Sequence, residues 1–161
     1  DEPYGLSTVQ YDNSEVSLVV RVGCRLVIPF MQMFAFYVIA HGHHSPGGGF
    51  QGGVILGASL ILLAMSSDLS TVLNRFKEKT MIILSAVGVL IFSGIGLISF
   101  LYNKHFLDYS ILHYILPQTD AIMARSHAML FVEIGVALTV MCGMFCIYAQ
   151  LVSDGRMEKG L

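Results

Sequence analysis

Two places in the sequence gather groups that could do chemistry. The first is "AHGHHSPGGGFQGG" (Ala40–Gly53), which sets three histidines, a proline and a run of glycines between two apolar stretches, with no lysine or arginine among them. The second is Glu133, a lone acid inside "FVEIGVALTV" (Phe131–Val140). A phosphate-binding loop would need a following GK[ST] or an acid on a strand–turn–helix unit, and neither is present. A metal site would need three or four converging ligands. His41 and His44 stand one helical turn apart, His43 could add a third ligand, and His105, His113 and His127 are expected on the same side. No cysteine or carboxylate lies near the cluster in sequence, however, and Pro46 breaks a helix just after it. The remaining reading is architectural. Proline and glycine shape an irregular backbone, which membrane proteins tolerate where it lines a wet cavity, and histidines beside it hold or pass protons near neutral pH. A bent, hydrated segment at an ion pathway fits best, with no metal or cofactor.

Glu133 sharpens that reading. A charge near the bilayer centre costs at least roughly 2.5–3.5 kcal/mol, so such a residue faces a partner or a water-filled path. Arg21 and Arg25, at i, i+4 in the first apolar run, are the available opposite charges. Arg21 could snorkel to the interface. Arg25 is deeper and could approach Glu133 or a residue of another subunit. A haem held by His41 and His127 is a further reading, resting only on two histidines at helix ends.

The elements that must position these groups follow from composition. Of 161 residues, 55% are hydrophobic and only 12% charged, with a mean hydropathy of +0.70; soluble domains carry about twice that charged fraction. The net charge of −2 without a basic run argues against nucleic acid. Apolar residues fall in four runs, 17–40, 50–66, 80–102 and 126–152, each near the roughly 20 residues that cross a bilayer. The predicted fold is all-α: an integral membrane domain of four transmembrane helices over 17–152, with a Gly/Pro-rich bend (Pro46, Gly47, Gly48, Gly49, Phe50, Gly52, Gly53) between helices 1 and 2. Residues 1–16 form an N-terminal segment with no basic region typical of a signal peptide, and 153–161 form a tail. Arg21, Arg25, Arg75, Lys77, Lys79, Arg156 and Lys159 stand on one side against Lys104 and Arg125 on the other. The positive-inside rule then predicts both termini in the cytoplasm, with the His/Gly stretch on the outer side of a multi-pass cell-membrane protein.

Small residues mark where helices approach. Gly49, Gly53 and Gly57 recur every four positions, with Gly48 and Gly52 alongside; Gly88, Gly94 and Gly96 in the third run and Gly135 and Gly143 in the fourth suggest further tight faces. Cys24, Cys142 and Cys146 read as buried packing residues. The connection over 103–125 carries an apolar pattern ending at Pro117, which fits either an interfacial helix or a loop covered by a partner. Asp68 reads as a solvated helix terminus.

"RLVIPFMQMFAFYVIAHGHHSPGGGFQGGVILGASLIL" (Arg25–Leu62) with "VEIGVALTV" (Val132–Val140) resembles the MrpB/MnhB subunit of the multisubunit Mrp sodium/proton antiporters. The same subunit type occurs in Mrp-like modules of membrane-bound hydrogenase complexes. By that resemblance Pro46 to Gly53 form the family's signature turn into span two, His41 belongs to its "HG", and Glu133 occupies its acidic position in span four; His44 stands where an asparagine or another polar residue is expected. The resemblance implies a non-catalytic small subunit of a hetero-oligomer that exchanges Na+ for H+ in lipid. Residues and resemblance together give Glu133, His41, His44 and Arg25 as ion-path candidates; the alternative is a purely structural subunit that packs antiporter-like subunits together.

Overall fold

The structure is a computed structural model and describes residues 18–42, 47–67, 72, 76–101, 109 and 121–152. Four helices account for nearly all of them: α1 (Leu18–Ala40), α2 (Gly49–Ser66), α3 (Glu78–Leu101) and α4 (Ala121–Val152). All four are long and apolar enough to cross a membrane, where a helix satisfies every backbone polar group within its own segment. There is no strand among the described residues. The all-α, four-span architecture is therefore the one expected. The boundaries of α1, α2 and α3 fall within two residues of the apolar runs. Helix α4 begins five residues before its run, so Arg125 lies on the helix and not in a connecting loop; "AIMAR" is made of good helix formers, and one cation does not end a helix. His43, His44, Pro46, Asp68, the N-terminal segment, the tail and most of the 103–120 connection lie outside the described residues.

The helices pack in a row, α1 on α2, α2 on α4 and α4 on α3; α1 touches α4 only slightly, and α3 barely meets the first two. The row explains the uneven burial. Half of the α2 span (50%) is covered, against 17% for each of α1 and α3 at the ends. Two apolar clusters hold it together. One joins Leu60 and Ala64 of α2 to Met81 of α3 and Cys142, Phe145 and Ala149 of α4, with Phe76 edge-on to Phe145 at 6.4 Å. The other joins Ala35 and Ile39 of α1 to Leu56 and Ala137. Cys142 is fully buried in the first cluster, which matches the packing role expected of it. Gln150 donates to Glu78 Oε1 at 2.8 Å and ties the end of α4 to the start of α3.

Bare glycines make these approaches close. A Cβ on Gly53 would lie 2.8 Å from the Ala137 carbonyl oxygen, and one on Gly57 would lie 3.2 Å from Met144 Cβ, so that stripe faces α4. Gly52 turns the other way, 3.1 Å by the same measure from the Ala35 carbonyl of α1. At the α3–α4 crossing, Gly88 and Gly135 face each other, and a Cβ on Gly135 would stand 2.7 Å from the Gly88 oxygen. The Thr139 hydroxyl donates to the Gly135 carbonyl at 2.9 Å and lies 3.4 Å from that of Ser85. Gly94 and Gly143 meet nothing within 4 Å, so only part of the small-residue pattern marks an interface. Gly135→Ala is therefore expected to lower stability by about 1–3 kcal/mol, the usual scale of overpacking. Gly94→Ala is expected to be neutral or stabilising by up to about 1 kcal/mol through helix propensity. Thermal unfolding of the detergent-solubilised protein measures both.

Candidate functional site at the α1–α2 turn

The site is assembled where α1 ends, α2 begins and α4 passes behind both. The last turn of α1 closes with the His41 N–H on the Tyr37 carbonyl (3.0 Å) and the Gly42 N–H on that of Ile39 (3.3 Å). Helix α2 starts from Gly48, whose backbone is extended (φ −161°, ψ −164°) and which brings no side-chain cap. The first N–H groups of a helix have no intrahelical acceptors, and their aligned dipoles favour negative charge beside them. Glu133 fills that position from α4. A Cβ added to Gly42 would fall on the Glu133 carboxyl, coming upon Oε2 and within 2.6 Å of Oε1, and one on Gly48 would lie 3.5 Å from Oε1. The same residue's backbone carries Gly49, where an added Cβ would strike the Glu133 carbonyl oxygen and lie 2.7 Å from its Cα. Side chain and main chain of Glu133 thus each meet a different glycine.

Glu133 Oε2 is closed off from solvent and has no hydrogen-bond partner among the described residues. An enclosed carboxyl oxygen without a donor is expensive. Among the described residues no three His, Cys, Asp or Glu side chains converge.

Glu133 lies twelve residues into α4, more than three turns where the apolar run suggested two. It is nevertheless level with the α1–α2 turn, so α4 runs past that turn by about 18 Å at ~1.5 Å per residue. The other candidates are dispersed. The His41 ring stacks on Tyr37 with centroids 4.2 Å apart, and its Nδ1 lies 3.3 Å from the Tyr37 carbonyl, so its contacts are with α1 itself. Arg25 does not reach Glu133. It stands fifteen residues before Ala40 in a continuous helix, about 22 Å along the axis, and it is exposed on α1. An Arg25–Glu133 pair within the chain is thereby corrected: the two are at different depths. Arg21 Nε is also buried without a partner among the described residues. His127 is exposed on α4, six positions before Glu133. Of the proposed bend, Gly47 and Gly48 are irregular, whereas Gly49, Phe50, Gly52 and Gly53 are already helical. The glycines that are helical, Gly49, Gly52 and Gly53, serve packing.

Residues 19–146, from the start of α1 to well beyond Glu133, match the family described as "Domain related to MnhB subunit of Na+/H+ antiporter". The chain belongs to the MnhB family. It is also similar to the proteins named antiporter subunit mnhB2 in Staphylococcus aureus strains Newman and JH1. Each is 31% identical over 135 residues, covering 81% of this chain and 95% of the relative. For this MnhB-family chain the resemblance noted in "HG…SPGGGFQGG" and "VEIGV" thus extends over the four-helix row, which makes it a multi-pass membrane protein.

Gly42 is the member of the site that spacing did not single out. Its only signal was its place beside His41 in the "HG" pair. The two glycines opening α2 also part company here. Gly49→Ala is expected to force α2 off α4 and destabilise the chain by about 1–3 kcal/mol. Gly48→Ala, with only ordinary contact at 3.5 Å and an extended backbone, is expected to change stability by less than about 1 kcal/mol. Chemical or thermal unfolding in detergent distinguishes the pair.

Proposed function

We propose that this chain is a small membrane subunit of a multisubunit Na+/H+ antiporter, or of an antiporter-like module, in which it helps to form a cation/proton path at a subunit interface. The observation that carries this is the Glu133 carboxyl, set at the turn between two membrane-crossing helices with one oxygen enclosed and, among the described residues, unpartnered. The family and its antiporter-subunit relatives support the setting. The chain is a component of transport machinery and no enzyme. The partners proposed are the other antiporter subunits. Two features support them: the end helices of the row expose Phe30, Met33, Phe34 and Tyr37 on α1 and Leu90, Leu97 and Phe100 on α3, and Arg25 lies on an exposed face where lipid would be a poor neighbour. With the termini on the cytoplasmic side, as the excess of basic residues there supports, the Glu133 site opens towards the outer face.

The second reading is that the subunit is structural and lines no path. Its support is the Gly49 contact with the backbone of Glu133, which needs no carboxyl at all. A Glu133→Gln replacement in the complete complex separates the two, because glutamine keeps the size and the backbone while losing the ionisable group. Cation-gradient-driven proton movement in vesicles is measured beside assembly on a native gel. An assembled complex whose exchange falls by at least about a hundredfold, the scale typical of removing a positioned proton-transfer group, supports the path. Exchange at the native rate shows that the acid is structural.

A further inference from the structure

Gly42 poses a question that its backbone does not answer. Its φ lies outside the left-handed region that favours glycine, so another residue could follow the same chain path. What forbids a side chain is space, and the three atoms nearest to an added Cβ all belong to one group: they are Oε2, Cδ and Oε1 of Glu133. The neighbouring glycines differ. At Gly49 the obstruction is the main chain of Glu133, at Gly53 that of Ala137, and at Gly52 the Ile39 side chain and the Ala35 carbonyl. Backbone cannot yield, whereas a carboxyl at the end of a flexible side chain can. A methyl at position 42 would therefore move the Glu133 carboxyl and leave the helices where they are.

We infer that Gly42 is a positioning residue: its bare Cα leaves the space in which the Glu133 carboxyl is held at the mouth of α2 in the geometry that exchanges its proton. This rests on the proposed path role of Glu133. Among the described residues few other titratable groups face that carboxyl; His43 and His44, next in sequence after Gly42, lie outside them. From α1, His41 is adjacent in sequence but stacked on Tyr37. The first two turns of α2, Gly49–Leu56, contain no titratable side chain. On α4, His127 stands six positions away, and the stretch of α3 opposite, from Gly88 to Leu101, is without acid or base.

The test uses the full complex in vesicles and compares Gly42→Ala, Glu133→Asp, Glu133→Gln and the double variant Gly42→Ala/Glu133→Asp, with Gly94→Ala as a control for a glycine that meets nothing. Assembly, exchange rate and its pH profile are read for each. Gly42→Ala is expected to assemble while exchange drops about ten- to a hundredfold, the scale set by misplacing a reacting group by ~1 Å, with a displaced pH profile. Aspartate, one methylene shorter, vacates the space of the methyl, so the double variant is expected to recover at least about half of the exchange lost in Gly42→Ala and to move its pH profile back. Native exchange and an unmoved pH profile in Gly42→Ala overturn the inference. A loss that Glu133→Asp does not relieve overturns it too, since Gly42 then serves the turn alone. If Gly42→Ala fails to assemble, the double variant decides: restored assembly and exchange support the inference, and continued loss defeats it. Native exchange in Glu133→Gln would instead remove the path role itself, so the two failures are told apart.

Discussion

The site depends on an approach of two backbones. Helix α2 begins with Gly49 set on the main chain of Glu133, and the next two residues of the same stripe, Gly53 and Gly57, continue along α4 past Ala137 and Met144. In a membrane the solvent outside the helices is as apolar as leucine, so burying apolar surface supplies little force between them. Packing at short range does the work instead. A helix without side chains on one face can approach until its neighbour's carbonyls touch it, and α2 does so over its first nine residues. Everything at the site follows from that approach, because it fixes the mouth of α2 beside residue 133.

Arranging the helices as a row has a second consequence. Helices α2 and α4 are flanked on both sides, whereas α1 and α3 each pack along one side only and keep Phe, Met, Leu and Tyr side chains outward. A closed bundle would have put the polar positions of α1 inside. The row leaves Arg25 on an exposed face and strands Arg21 Nε without a partner among the described residues. These features are poor in an isolated chain in lipid and sensible in one part of a larger assembly, which is the setting its family implies.

The spans were legible because a bilayer demands roughly 20 apolar residues and tolerates few charges, so helix number, order and most boundaries could be read from hydropathy alone. The small-residue stripe of α2 was legible for a related reason: only glycine repeated every four residues produces it. What could not be read was which of several glycines touch a neighbour. Gly88 and Gly94 look alike in sequence, and only the first meets another helix. Helix depth was hidden too. Glu133 and Arg25 seemed able to meet because both lie in apolar runs, but α1 and α2 stop far short of the beginning of α4, and that stagger depends on tertiary packing. The role of Gly42 was invisible because it depends on a side chain 91 positions away.

Glu133 also shows why a polar residue in a membrane helix resists a single label. Its main chain is a surface on which α2 rests, and any residue there with helical backbone would serve that purpose. Its side chain is another matter. Among the described residues no arginine pairs with the carboxyl, and its Oε2 is closed off from solvent, yet it sits where a helix terminus favours negative charge and where Gly42 has no side chain. A purely structural position would be expected to carry an apolar residue or a fully hydrogen-bonded one, since each leaves no enclosed polar atom unsatisfied. Keeping an acid with one oxygen enclosed and unpartnered is unfavourable for folding. That imbalance is the physical ground on which the path role of Glu133 is proposed, and the side chain, not the main chain, is where the proposal stands or falls.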